Sequence, residues 1–196
     1  MQGARGNVTA QERAETAQRL MTALARGDRT ALARLIALFG AGVRAYAAQA
    51  LDSPADAEDV AQEVFLRVWA RADRYDPTRG AVSTWIWRIA LNLCIDRNRR
   101  GGVRRFLGLE AAPELADDDP RPEARVDSRQ RLDRVRGQIA RLPARQRQAI
   151  LLRASAEMST AQIAETMGIA SGAAEQLLVR ARKTLRQAMD PGEETA

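Results

Sequence analysis

The sequence predicts an all-α fold: two small helical domains joined by a flexible acidic linker, the C-terminal domain a helix-turn-helix. Three observations carry that expectation. Apolar residues recur at helical spacing through most of the chain, and no stretch of β-branched alternation competes. Seven of the eight aromatics lie between Phe39 and Trp87 and none follows Phe106, so an aromatic-containing core comes first and an Ala/Leu/Ile/Met core later. Between them, Leu109 to Asp127 (LEAAPELADDDPRPEARVD) holds seven acids, two arginines and three prolines with no apolar period, which is linker composition. Its flanks are basic, with five arginines and no acid over Arg97–Arg105 and eight arginines against one aspartate over Arg129–Arg153. The acidic segment reads as a solvated tether in preference to a strap folded on those surfaces.

The elements follow in order. Asp28 is an expected N-cap for a helix with Leu32, Leu35, Ile36 and Phe39 on one side. Ser53-Pro54 supplies a cap residue and a first-turn proline ahead of a helix burying Ala57, Val60, Ala61, Val64 and Val68. A turn over Tyr75–Gly80 separates it from a helix running from Val82 to about Arg100, with Val82, Trp85, Ile86, Ile89 and Leu93 aligned. After the linker, Leu132, Val135, Ile139 and Leu142 repeat at helical spacing, and Pro143 restarts the chain into a helix through Ile150. Ser159-Thr-Ala-Gln162 is a capping box opening a short helix with Ile163, Ala164 and Met167 inward. Gly168-Ile169 makes a turn, and Ser171 is the expected cap of a last helix with Ala174, Leu178, Ala181 and Leu185 inward. Two short capped helices joined by a glycine turn have helix-turn-helix geometry.

Composition argues against an enzyme. The chain has 196 residues, no histidine and one cysteine, Cys94. That removes the commonest general base, internal disulfides and any zinc site built on His/Cys clusters. Phosphate-cradling glycine motifs and a nucleophile elbow are missing as well. No cofactor, catalytic residue, metal site or small-molecule substrate is expected. The net charge is +6, and all the basic residues except Lys183 are arginines, which suit bidentate contact with phosphate. No uncharged run exceeds about nine residues, against the ~20 of a membrane span, so a cytoplasmic protein is expected.

Three surfaces could do chemistry of recognition. On the last helix, Gly172, Gln176, Val179, Arg180 and Lys183 project opposite the buried stripe with Ala173 beside them. Such a face enters a major groove; Gln176 could pair with adenine, and Arg180, Arg182 and Lys183 with phosphates. On the helix from Ala57 to Trp69, Asp59, Gln62 and Glu63 form an outer strip with Asp56 and Glu58 nearby. First-turn acids stabilise a helix by themselves, but Glu63 lies too far in for that, and a docking face for a basic partner is the better functional reading. On the next helix, Arg88, Asn92 and Arg99 form a polar strip, and Trp87 and Leu91 a separate apolar one. Either these residues meet single-stranded DNA, whose bases stack or are captured, or Trp87 simply packs on a neighbouring helix. The packing alternative is favoured by the residues themselves.

The string DAEDVAQEVFLRVWARADRYDPTRGAVSTWIWRIALNLCIDRNRR, Asp56 to Arg100, resembles the second conserved region of extracytoplasmic-function sigma factors of bacterial RNA polymerase. LPARQRQAILLRASAEMSTAQIAETMGIASGAAEQLLVRARKTLR, Leu142 to Arg186, is similar to that family's fourth region. The resemblance implies a promoter-specificity subunit in which residues 1–106 bind core polymerase and melt the near-start promoter element. Residues 107–128 would be the linker, and 129–196 the helix-turn-helix that reads the farther element as duplex. Asp56, Asp59, Gln62 and Glu63 then occupy the place that docks on the clamp coiled coil of the polymerase's largest subunit. Arg74, Tyr75, Asp76 and Arg79 fall in the loop that captures a base of the near-start element, and Arg88, Asn92 and Arg99 on the strand-separating helix. Ser171, Gly172, Ala173, Glu175, Gln176, Arg180, Arg182 and Lys183 fall on the duplex-reading helix. The resemblance also implies an anti-sigma factor that covers the polymerase-binding surfaces, and a role in stress-responsive transcription.

One departure stands out. The family commonly has G-T-V-K-S-R-L-H-R-A-R where this chain has Gly172-Ala-Ala-Glu-Gln-Leu-Leu-Val-Arg-Ala-Arg182. Glu175 replaces a usual lysine, Leu177 a usual arginine and Val179 a frequent histidine. Each lost phosphate contact lowers the salt slope of DNA binding by about one unit. The altered helix binds its element weakly, reads a different sequence with Glu175 accepting from cytosine, or serves a protein partner. A tether of about twenty residues averages ~25 Å as a coil and reaches ~70 Å extended, against ~34 Å for one turn of DNA. Two rival readings remain at this point: a stand-alone helix-turn-helix repressor, and a sigma-derived interaction module with weakened DNA binding.

Overall fold

The computed structural model describes residues 10–106 and 126–189, and the acidic segment expected as a linker falls outside the described residues for most of its length. Among the described residues the chain forms eight α-helices and no strand. The first four are α1 (Ala10–Ala25), α2 (Arg29–Ala50), α3 (Ala57–Ala70) and α4 (Val82–Phe106). The last four are α5 (Val126–Ala140), α6 (Ala144–Ala156), α7 (Thr160–Met167) and α8 (Ser171–Met189).

Local chemistry sets most of the boundaries as the sequence predicts. Asp28 caps α2, accepting from the Thr30 backbone N–H at 2.9 Å and from its hydroxyl at 2.7 Å. Ser159 and Gln162 form the expected reciprocal capping box at α7. Gly168 ends α7 with φ +64°, a left-handed conformation that favours glycine and turns the chain toward α8. Two boundaries differ. Pro54 opens a single 3₁₀ turn, Pro54–Asp56, before α3 begins at Ala57 with Asp56 as its cap residue. At α8 the Ala170 carbonyl accepts the first bonds, from Ala173 and Ala174, so Ser171 is the first helical residue and not the cap.

Packing joins what composition had separated. Buried residues of α1–α4 and of α5–α8 form one continuous apolar cluster, from Leu20, Leu35 and Val64 through Ile86 and Trp87 to Leu151, Ile163 and Leu178. The link is α2, which packs on α1 and α3 with one side and on α6 with the other. It is the one described helix apolar and long enough to cross a membrane by length and composition, and its apolar character serves these contacts. Gly42 permits the closest approach: a Cβ there would lie 2.8 Å from the Ser155 carbonyl oxygen and 3.3 Å from the Trp87 ring. Asn98 of α4 ties down the end of α2, donating to the Ala50 carbonyl at 2.8 Å while its Oδ1 accepts from the Asp52 N–H at 3.0 Å.

One expected core position behaves otherwise, and one helix buries more than its expected stripe. Leu132 is 55% exposed, so α5 buries its stripe only toward Ile139, with Val135 half-buried. In contrast, α4 buries residues on two sides: Val82, Ile86 and Leu93 face α1–α3, while Trp87 and Leu91 are also buried. Trp87 meets Tyr46 edge-on, with ring centroids 5.7 Å apart. The packing alternative for Trp87 is the observed one.

Cys94 is buried, and burial pushes its thiol up to about 12. Its thiol should therefore resist alkylation in the native chain and react only on unfolding, and Cys94→Ser should leave promoter-dependent transcription intact. Oxidant-dependent regulation lost in that variant would contradict this. At α7, Ser159→Ala removes the side-chain half of the capping box; denaturant unfolding should show a loss of about 1 kcal/mol.

Candidate nucleic-acid and partner interfaces

The acidic strip of α3 is only partly open. Asp59 and Gln62 are exposed or half-exposed and line a groove against α4, bounded by Leu66, Asp96, Arg97 and Arg100. Glu63 lies in the same groove but accepts from Arg67 Nε at 2.7 Å, one helical turn on. Asp56 stands apart: it pairs with Arg97 at 3.7 Å, so the structure does not bring it into the strip. Beside the strip runs an apolar groove between α2 and α3, lined by Ile36, Gly40, Ala61, Phe65 and Leu66. Ile36 is 43% exposed, Leu66 54% and, further along α3, Trp69 49%. The sequence reading missed this apolar shelf; Leu66 and Trp69, outside the buried stripe of α3, were the signal for it.

The loop between α3 and α4 is built from two 3₁₀ turns, Ala72–Arg74 and Pro77–Arg79. Asp76 caps the second, accepting from the Thr78 N–H at 2.9 Å and its hydroxyl at 2.7 Å; these bonds hold its carboxyl below the usual range. The Tyr75 hydroxyl lies 2.8 Å from Gln18 Oε1 of α1 and 2.9 Å from the Gly80 carbonyl, its one proton serving both. Burial, then Asp76 and Glu165, raise the Tyr75 phenol, which stays a neutral donor. Tyr75 also meets Trp85 edge-on, with centroids at 5.7 Å.

These contacts open a pocket whose wall includes Arg74, Tyr75, Asp76, Arg79 and Arg88. Five of the seven near-start residues expected from the sequence therefore converge. Asn92 does not; it lines the next cleft along α4, with Ile95, Arg145, Gln148 and Met167. Arg99 lies further still and pairs with Asp96 at 3.4 Å. Trp85, assigned by its spacing to the core stripe, is half-buried and forms part of the pocket wall.

On α8, Ser171, Gly172, Ala173, Glu175, Gln176, Arg180, Arg182 and Lys183 are all exposed; Gly172, Ala173, Gln176, Arg180 and Lys183 face away from buried Ala174, Leu178 and Ala181, and Ser171, Glu175 and Arg182 flank that stripe. Val179 joins them at 56% exposure. Leu177 does not: it is half-buried against the core, so an arginine there would lose packing as it gained charge. The departure at that position has a structural reason, whereas nothing in the structure explains Glu175.

Fold and surfaces together define a two-domain helical protein with a helix-turn-helix and, apart from it, an arginine-walled pocket. Residues 35–104 match the family model for Sigma-70 region 2, and residues 132–185 that for Sigma-70 region 4. The RNA polymerase sigma factor CnrH of Cupriavidus metallidurans is 34% identical over 189 residues, covering 92% of this chain and 98% of the relative. The sigma factor SigW of Bacillus subtilis is 31% identical, covering 83% and 90%. Among solved structures, CnrH in complex with the cytosolic domain of CnrY superposes with a TM-score of 0.70 at 25% identity, over 91% of this chain and 99% of that one. The chain belongs to the extracytoplasmic-function sigma factors of bacterial RNA polymerase.

Among the described residues, the Tyr75 hydroxyl ties this loop to both α1 and its own far end. Tyr75→Phe should leave the global fold intact but speed hydrogen exchange at the amides of residues 78–80 about fivefold, the equivalent of one hydrogen bond of roughly 1 kcal/mol.

Proposed function

We propose that residues 1–106 dock on the largest-subunit clamp coiled coil of core RNA polymerase through Asp59, Gln62 and Glu63, with the Ile36/Leu66 shelf as the apolar part of the same surface. Asp56 acts at one remove, by holding Arg97 at the end of that groove. The loop pocket of Arg74, Tyr75, Asp76 and Arg79 receives an unstacked base of the near-start promoter element, with Trp85 as a wall. Arg88 and Asn92 contact the separating strands, and Arg99 the adjacent backbone. Residues 129–196 read the farther element as duplex through Ser171, Gly172, Ala173, Gln176, Arg180, Arg182 and Lys183, with Glu175 contributing sequence preference and no phosphate attraction. Residues 107–128 tether the two.

The observation that carries this reading is the pocket itself. Five residues drawn from two turns and a helix converge there, in a chain with one lysine and no histidine. A repressor built on the C-terminal helices alone would have no use for it. The work of such a protein is promoter selection and melting in the cytoplasm, with no covalent step of its own. Regulation would come from an anti-sigma factor, as the CnrH–CnrY and RpoE–NepR complexes illustrate for those proteins.

Co-elution with bacterial core RNA polymerase tests the docking face. The wild-type chain should co-elute, and Asp59→Arg/Glu63→Arg should abolish co-elution while keeping the helical circular dichroism spectrum, with a slightly lower melting temperature from the lost Glu63–Arg67 pair. Tight binding of the wild-type chain to duplex DNA without polymerase, and no co-elution, would reverse the conclusion in favour of a repressor.

A further inference from the structure

The cleft next to the loop pocket along α4 differs from the rest of the surface in its charge. Arg88, Asn92 and Ile95 of α4 form one side, over buried Leu91. Arg145 and Gln148 of α6 form the other, and Met167 at the end of α7 closes it, around a volume of about 580 Å³. Two arginines stand in this wall and no carboxylate does. In four other clefts of the same molecule an acid stands beside the arginine: Glu63 by Arg67, Glu58 by Arg44, Glu157 by Arg13, and Asp76 by Arg79.

The polar groups of this cleft also have capacity left. Arg145 makes no ion pair or hydrogen bond among the described residues, and neither do the amides of Asn92 and Gln148. Arg88 donates Nη2 to the Glu165 carbonyl at 2.6 Å, which orients the guanidinium but sets its charge against a neutral group. Pro143 precedes α6 without a side-chain cap, and the first turn of α6 holds no acid, so the positive end of that helix is open beside Arg145. Across the cleft, the Thr166 and Met167 carbonyls end α7 without intrahelical donors. Leu91, Ile95 and Met167 make an apolar floor between them, with Ile95 40% exposed.

An inorganic anion would use the cations and leave the floor, the amides and the carbonyls unmatched. The complement is a ligand with anionic groups to bridge two guanidinium forks, a flat apolar body, and polar edges. The volume lies within the ~300–1,000 Å³ of ordinary ligand sites. We infer that this cleft binds a nucleoside di- or triphosphate. Its phosphates lie between Arg88 and Arg145 and its base on Leu91, Ile95 and Met167, with Asn92 and Gln148 at the base edge, where amide side chains pair well. Because α4 supplies one wall and α6 and α7 the other, only the chain with both in place offers the whole site. Bound nucleotide therefore favours that arrangement by mass action, about a hundredfold at a hundred times its Kd. It also occupies Arg88 and Asn92, and so opposes their contact with promoter strands; that consequence rests on the function proposed above, whereas the site does not.

Fluorescence anisotropy of methylanthraniloyl-labelled ATP, titrated with the full chain at physiological salt, tests this. Binding should saturate, and unlabelled ATP should displace the probe about tenfold better than inorganic triphosphate, which lacks the base. Arg145→Glu should weaken binding about tenfold or more, by exchanging a charge-assisted contact for repulsion. Arg134→Glu, an equal charge change at an exposed position of α5 outside the cleft, should leave it unchanged. Gln148→Leu should weaken ATP about fivefold and triphosphate not at all. Hydrogen exchange in α7 should slow when ATP is added to the wild-type chain but not to Arg145→Glu. No saturable binding, or equal weakening by Arg145→Glu and Arg134→Glu, overturns the site. Triphosphate competing as well as ATP, with no effect of Gln148→Leu, overturns its assignment to a nucleotide, and binding without slower exchange in α7 overturns the two-walled geometry. Saturable ATP binding that leaves affinity for a single-stranded DNA ten-mer unchanged sustains the site and refutes its effect on DNA contact.

Discussion

The contact on which both halves of this molecule depend is the approach of α6 and Trp87 to α2 at Gly42. A helix normally keeps its neighbours 8–10 Å away by the bulk of its side chains. At Gly42 that bulk is missing, and the Ser155 carbonyl and the Trp87 ring occupy the space a Cβ would need. The same helix carries the α1 and α3 contacts on its other sides, so one element organises the N-terminal bundle and seats the C-terminal domain. Its apolar composition, sufficient for a membrane span by count, serves its contacts with α1, α3 and α6 and leaves an open apolar groove beside Ile36.

From that arrangement the geometry of recognition follows. Because α4 is clasped between α1–α3 on one side and α6–α7 on the other, its arginines emerge at separate edges, Arg88 at the loop pocket and Arg97 and Arg100 in the groove against α3. The loop is held there by short-range bonds: Asp76 to Thr78, and Tyr75 to Gln18 and Gly80. These bonds cost little chain entropy to make, since most close loops of a few residues. A pocket prebuilt in this way needs no ordering to receive a ligand. The acidic face of α3, by contrast, is partly spent on internal pairs through Glu63 and Asp56, which leaves Asp59, Gln62 and an apolar shelf as its free part.

The altered recognition helix is clearer in this light. Leu177 is half-buried against the core, so its replacement of a usual arginine exchanges a charge for packing in a domain with no aromatic side chain. Glu175 and Val179 remain exposed on α8, where neither supplies a cation.

The sequence by itself determined the helices, their caps, the glycine turn of the helix-turn-helix and the family, because these rest on contacts within a few residues. Asp28, Ser159, Gln162 and Gly168 each act on their own turn, and the buried stripes of α3, α7 and α8 follow from the 3.6-residue period. What the residues around Trp87 face, why Leu132 is exposed, that Asn92 and Arg99 lie away from the loop pocket, and that the two cores are one were decided only by tertiary structure. Periodicity assigns a residue to a side of its own helix, but it carries no information about which other helix, tens of residues away, arrives on that side. Glu165 shows the limit most plainly. In the sequence it is an acid on the outer face of a short helix; in the fold its carboxylate lies against Gly80 and its carbonyl accepts from Arg88, both from more than seventy residues earlier in the chain.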